Sequence, residues 1–270
     1  MRSPTPPPEI SARGESRVAE MSSSETYLVD GEPLSAEQCR ALFGAMSLTD
    51  RQAKVLDRIE GDTIVDIGCY SGLFVHEASR RFPAKGIIGV DYSDDLIRIA
   101  RLIYPDVQDR FRQMSIYGLD FADASVDCIT LQEVLEHLEG AALAVKEINR
   151  VLRQGGVLIV SVPNPFYLWR IVSFAGREIG NALRRWRGVS ARLGTEVICK
   201  DTEWDRHVYG WTPETLLTLL ATNGFEYVDH CYETRTPNRL RRWLLAILPF
   251  FGPTIILKVR KVAPAPEKVV

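Results

Sequence analysis

The sequence predicts an α/β fold, a single open and mostly parallel sheet of seven strands with helices on both faces. Three observations carry this. The run Thr63-Ile64-Val65-Asp66-Ile67 is short, apolar and β-branched, and it passes through a turn holding Gly68 and Gly72 into a helical pattern. A second such run, Ile87-Ile88-Gly89-Val90-Asp91, also ends in an acid. Strand and helix patterns then alternate as far as residue 162, which implies parallel pairing with right-handed crossovers.

At 270 residues the chain has room for one sizeable core plus insertions or tails, and we read one domain over 27–262. The net charge of −2 gives no global attraction to nucleic acid, and 46% hydrophobic content is ordinary for a globular protein. The five cysteines (Cys39, Cys69, Cys128, Cys199 and Cys231) are odd in number and scattered. They indicate neither a disulfide framework nor a zinc knuckle, and a reducing cytoplasm is the expected setting.

Residues 1–26 are Ser, Pro, Glu and Arg with hardly an apolar side chain, so they are expected to be a disordered tail, and they lack the apolar core of a signal peptide. Two helical patterns follow between 35 and 59, the second opening at Thr49-Asp50 and carrying Val55, Leu56 and Ile59. After the first strand, a helix over 72–81 stops before Pro83, and the second strand covers 86–91. Ser93 caps a helix with Leu96, Ile97, Ala100 and Ile103, and a third strand is expected over 111–114. The fourth strand is read over 124–131. A helix with Val145, Ile148 and Leu152 on one face is then ended by Gly155-Gly156, before a fifth strand over 157–162. Residues 164–206 are too long for an ordinary connection. A helix from Thr212-Pro213-Glu214, a sixth strand over 225–233 and a last strand over 254–260 complete the sheet, and 263–270 form a short tail.

The turn after the first strand reads Asp66-x-Gly68-x-x-x-Gly72, without the middle glycine that a dinucleotide fingerprint uses to bring amides to a pyrophosphate. A carboxylate at the strand's carboxyl end suits a cofactor bearing positive charge, and the acid Asp91 suits two ribose hydroxyls. Here the chain resembles the class I S-adenosylmethionine-dependent methyltransferases of the type 11/12 kind, whose first motif is an acid before a glycine-rich turn. The resemblance is reinforced by Glu133-Val134-Leu135-Glu136-His137-Leu138 and by Arg150-Val151-Leu152-Arg153-x-Gly155-Gly156. It covers residues 47–163 and resumes at 207. It implies a Rossmann-like sheet and a helical insertion after strand five. It also implies S-adenosyl-L-methionine as cofactor, in a pocket lined by Asp66, Gly68, Cys69, Tyr70, Gly72, Asp91, Tyr92, Ser115, Ile116, Leu131 and Gln132. Ser115 stands where family members often carry an acid for the adenine amino group. Tyr70 stands where glycine is usual, which implies a bulkier loop.

The Glu-x-x-Glu-His box is similar to those of quinone-biosynthetic O-methyltransferases and small-RNA 2'-O-methyltransferases, where it is associated with a divalent metal. The RNA enzymes add a later histidine, and this chain has His207-Val208-Tyr209-Gly210-Trp211-Thr212. Two readings stay open. In one, Glu133, Glu136, His137 and His207 hold Mg or Mn, which lowers the pKa of an acceptor hydroxyl. In the other no metal binds, and His137, His207 or Glu136 acts as the catalytic base. Spacing i, i+3, i+4 places Glu133, Glu136 and His137 on one side of a helical turn. His76 and His230 have no such context and read as structural.

Two stretches combine arginines with apolar residues: 164–206, and 235–253 between the last two strands. Either covers the substrate as a lid, or Trp169, Phe174, Trp186, Trp243, Leu244 and Phe250 contact an anionic membrane and admit an amphiphilic acceptor. The apolar part of the second is too short and too rich in proline to span a bilayer. The expected reaction is O-methylation of a small or lipid-like metabolite by a cytoplasmic or peripheral membrane enzyme. The alternatives are an RNA 2'-O-methyltransferase, with nucleic acid less favoured as a partner, and a non-catalytic cofactor-binding regulator.

Overall fold

The computed structural model describes residues 28–29, 32–186, 209–236 and 238–266, without the side chains of 28–33, Trp169, Arg170, Arg177, Leu183 and Arg185. The expected tail over 1–26, the second half of the 164–206 insertion, and His207 lie outside the described residues. In chain order the elements are β1 (Leu28–Val29), β2 (Glu32–Pro33), α1 (Ala36–Phe43), α2 (Asp50–Leu56), β3 (Thr63–Ile67), α3 (Leu73–Arg81), β4 (Gly86–Asp91), α4 (Asp94–Ile103) and β5 (Phe111–Gln113). There follow β6 (Val126–Gln132), α5 (Ala141–Val151), β7 (Leu152–Pro163), α6 (Leu168–Trp186), α7 (Pro213–Thr222), β8 (Phe225–Tyr232), α8 (Arg239–Ile247) and β9 (Thr254–Lys261).

The seven-stranded sheet has the order β5-β4-β3-β6-β7-β9-β8. The first five strands are parallel, and β9 is antiparallel to both its neighbours, so β8 runs in the same sense as β7. This is the α/β architecture that the sequence predicts. Local chemistry starts the helices where expected. Thr49 caps α2 by accepting from the Gln52 backbone while the Gln52 side chain returns the bond, and Thr212 with Pro213 opens α7.

One boundary differs. The fifth strand begins at Leu152 rather than 157, and α5 stops at Val151. Leu152 is fully buried and pairs with Val126 across the sheet, so tertiary burial draws it out of the helix. The register shifts before Cys128 pairs with Val157.

The core has two layers. Side chains of α1, α2, α3 and α4 pack on one face of the sheet with Ile64, Cys128 and Ile159. Those of α5 and α7 pack on the other with Val65, Leu131 and Val160. Alternate residues of each strand therefore serve opposite layers, as the pleat requires. No helix among the described residues is long and apolar enough to cross a membrane.

At the carboxyl edge the two insertions share one anchor. Asn164, buried just after β7, donates its side-chain amide to the carbonyls of Phe250 (2.8 Å) and Gly252 (2.7 Å), and its own backbone N–H to Pro253 (2.8 Å). This ties the root of α6 to the segment leading into β9. Asn164→Ala would strand two carbonyls, so we expect a loss of about 2 kcal/mol in chemical denaturation. Faster amide exchange in 248–253 should accompany it, and an unchanged midpoint would contradict the anchoring role.

Candidate active site

The strand order reverses between β3 and β6, and in open parallel sheets ligands bind at the carboxyl side of such a switch point. Asp66 of β3 pairs with Thr130 of β6 in register. Its Oδ1 accepts a hydrogen bond from the Thr130 hydroxyl (2.5 Å) and another from the Gln132 side-chain amide (3.2 Å). The carboxyl is almost completely buried, and burial pushes its pKa up to about 6. Asp91 ends β4 and accepts from two backbone N–H groups, Tyr70 and Ser93, each at 3.0 Å. Burial raises its pKa as well, against the pull of those donors. Asp91 thus ties the loop after β3 to the start of α4.

That loop is held in left-handed backbone at Gly68 (φ 76°), Tyr70 (φ 52°) and Gly72 (φ 86°). The glycines answer to packing as well as to conformation: a Cβ on Gly68 would lie 2.4 Å from Val134, and one on Gly72 would lie 2.7 Å from the Phe111 ring. Tyr70 has no such freedom and carries a cost of roughly 1–2 kcal/mol for its φ. Two contacts hold it, the bond to Asp91 and an edge-on contact of its ring with Phe43 at 5.9 Å. This is the physical meaning of a tyrosine where a glycine is usual.

The other expected pocket residues divide. Cys69 is buried and donates its N–H to the Val90 carbonyl (3.1 Å), with its thiol pushed well up by burial. Tyr92 is exposed beyond β4. Ser115 is also exposed, and its hydroxyl accepts from the Tyr117 N–H at 3.3 Å. The Ile116 and Leu131 side chains belong to the core layer on the α5 side, so what these two offer at the strand tips is main chain.

The Glu-x-x-Glu-His box does not form the helical turn that its spacing suggests. Glu133 takes left-handed backbone (φ 55°), with its N–H donating to Ser161, and only Leu135–His137 form a 3-10 turn. The residue that organises the box was not anticipated: Arg51, on α2. Its guanidinium lies 3.3 Å from a Glu133 carboxylate oxygen. Burial lowers its pKa, while Glu233, Glu136 and Asp66 pull it back up. A signal was present in the sequence, since Arg51 stands one helical turn before Val55 on the buried side of α2.

Glu136 is 1% exposed, and among the described residues neither of its carboxylate oxygens has a hydrogen-bond partner. Burial pushes its pKa up to about 7. His137 Nε2 lies 3.9 Å from Glu136 Oε1, and the N–H of Tyr209 donates to the Glu136 carbonyl at 3.2 Å. The chain at Tyr209 therefore runs beside the box. His230 pairs with the Tyr227 hydroxyl at 2.8 Å and His76 stacks on Tyr104 at 4.3 Å, in keeping with structural roles.

The expected divalent metal finds no support among the described residues, and His207, its fourth expected ligand, lies outside them. Among the described residues no group of three or more His, Cys, Asp and Glu could hold a metal ion, and a guanidinium rather than an open position faces Glu133. The cofactor is a different case. Among the described residues Arg51 lies in the field of Asp66, Glu136 and Glu233 and beside Glu133, and the two buried carboxyls, Asp66 and Glu136, suit a cation.

Residues 65–160 match the family model described as a methyltransferase domain. A probable S-adenosylmethionine-dependent methyltransferase of Mycolicibacterium smegmatis is 34% identical over 128 residues, which is 46% of this chain and 45% of that protein. A ubiquinone biosynthesis O-methyltransferase of Alkalilimnicola ehrlichii is 32% identical over 199 residues, or 70% of this chain and 74% of that protein. Among solved structures, a possible histamine N-methyltransferase from Thermotoga maritima shares the fold with a TM-score of 0.52 at 17% identity, covering 78% of this chain and 88% of that one. The chain belongs to the class I S-adenosylmethionine-dependent methyltransferases. S-adenosylmethionine is the cofactor of these enzymes.

Glu136 at about 7 and Asp66 at about 6 hold protons in the folded chain that the unfolded chain releases near pH 4. Their contribution to stability is complete below that pH and is lost as pH rises through 6 and 7. Without cofactor, the stability of the wild type relative to Glu136→Gln in urea denaturation should therefore fall between pH 5 and 8. A constant difference would contradict the assigned environment.

Proposed function

We propose that this chain transfers a methyl group from S-adenosylmethionine to a hydroxyl of a small or lipid-like metabolite, with Glu136 receiving the hydroxyl's proton. One observation carries the reading: a carboxylate shut off from solvent, without a hydrogen-bond partner among the described residues and titrating near 7, beside the strand tips. A general base works best when its pKa lies near the working pH. The likeness to a ubiquinone biosynthesis O-methyltransferase supports oxygen as the accepting atom.

When bound, the cofactor supplies a methyl group on positively charged sulfur that leaves as a neutral thioether. The residues around it then have little to do beyond alignment and proton removal. In this reading Asp66 faces the ammonium and sulfonium charges, Arg51 meets the cofactor's carboxylate, and Asp91 takes the ribose hydroxyls. The loop from Gly68 through Gly72, with Cys69 and Tyr70, would hold the cofactor. Tyr92, Ser115 and the main chain of Ile116 would receive the adenine, and Leu131 and Gln132 would line the methyl-transfer end. An acceptor hydroxyl passes its proton to Glu136 as its oxygen bonds to the methyl carbon. Glu136→Gln keeps the shape and removes the base.

The test incubates purified chain with methyl-labelled S-adenosylmethionine and fractions of cell extract, and identifies the labelled product. The reading expects an O-methyl product, with turnover rising between pH 6 and 8. Glu136→Gln should lower kcat by about 100-fold or more while changing the cofactor's KM far less. Asp91→Ala should weaken cofactor binding by about tenfold or more. An N-, S- or C-methyl product, or RNA as the labelled species, would refute it, as would full turnover by Glu136→Gln.

A further inference from the structure

Both insertions leave the carboxyl edge of the sheet and are joined at their roots by Asn164. Among the described side chains of α6, Asn181 is buried at 7% exposed, and Phe174, two turns earlier on the same side, is 56% exposed. Val172, Ile179 and Trp186 recur at helical spacing on the opposite arc, and they are 49%, 63% and 82% exposed. A lid would turn that arc inward over the site. On α8 it is Leu245 that is buried, and Leu240, Trp243 and Ile247 form an outward stripe at i, i+3 and i+7. Phe250 continues it just beyond the helix.

Charge follows the same pattern. The α6 sequence has four arginines against one glutamate, and α8 has three arginines and no acid, on a chain whose net charge is −2. Basic charge is thus concentrated on the two helices that expose apolar stripes. Exposed aromatic and aliphatic residues flanked by arginine suit the boundary between headgroups and acyl chains, where apolar burial and attraction to anionic lipid add together. RNA would use the arginines but leave the aliphatic stripes in water.

We propose that α6 and α8 dock this protein on an anionic phospholipid bilayer, so that the carboxyl edge of the sheet faces the membrane surface. The surface is defined by the fold alone. Vesicle binding is read without turnover, so its failure is distinct from failure of the O-methyl transfer reading.

The full chain is floated with vesicles of phosphatidylcholine containing phosphatidylglycerol, and with pure phosphatidylcholine. Binding to the anionic vesicles is expected, at least tenfold weaker on the neutral ones, and falling as salt is raised from 0.05 to about 0.5 M. Trp243→Asp and Ile179→Asp, on different helices, should each weaken anionic-vesicle binding at least tenfold with an unchanged circular dichroism spectrum. Arg239→Glu, which leaves the apolar stripes intact, supplies a third reading if either aspartate variant fails to fold. Equal affinity for both vesicle types, no binding, or full binding by the well-folded variants would overturn the proposal. So would binding to a single-stranded RNA oligonucleotide, with none to vesicles.

Discussion

The site depends on one half-buried guanidinium. Arg51 reaches from α2 to the edge of the sheet, where Asp66, Glu133, Glu136 and Glu233 lie within its field. Asp66 and Glu136 titrate near 6 and 7 because ionising them in a dry place is costly, and Arg51 offsets only part of that cost. Carboxyls held this way are poised for a positively charged guest. It also gives the helix that precedes the sheet a reason to pack where it does, since α2 fixes the residue that holds the Glu133 loop.

The backbone of the site follows from how the strands end. Three adjacent strands finish at the same edge, and each carries a polar group there: Asp66 on β3, Asp91 on β4 and Gln132 on β6. The loop between β3 and α3 must turn sharply to clear them, and its left-handed residues are pinned from both sides, by Val134 against Gly68 and by Asp91 under Tyr70. Strain at Tyr70 is tolerated because the loop has nowhere else to go.

Much of this was legible in the sequence. Apolar runs marked the central strands, β3, β4, β6, β7 and β9, because their two faces are covered by the helical layers. Asp66 and Asp91 were legible because their value lies in position along the chain, at the ends of strands. The boundary at Leu152 was not, since burial against Val126 overrode the helical pattern. The Glu133 to His137 box was read as a helical turn because spacing alone cannot reveal a left-handed residue at its start. Arg51 was missed for a related reason: a charge on a buried helix face declares itself only when its partners come from distant strands. The amphipathic character of α6 was visible, but which arc faces outward depends on what the fold leaves uncovered.

The central claim is that the buried carboxyls at the strand tips receive the cofactor's positive charge. It is tested most directly by titration calorimetry of S-adenosylmethionine at pH 6.5 in buffers of different ionisation enthalpy, which counts the protons exchanged on binding. The account predicts net proton release, because a cation beside Asp66 and Glu136 favours their ionised forms. Binding with no proton exchange, or with proton uptake, would contradict it.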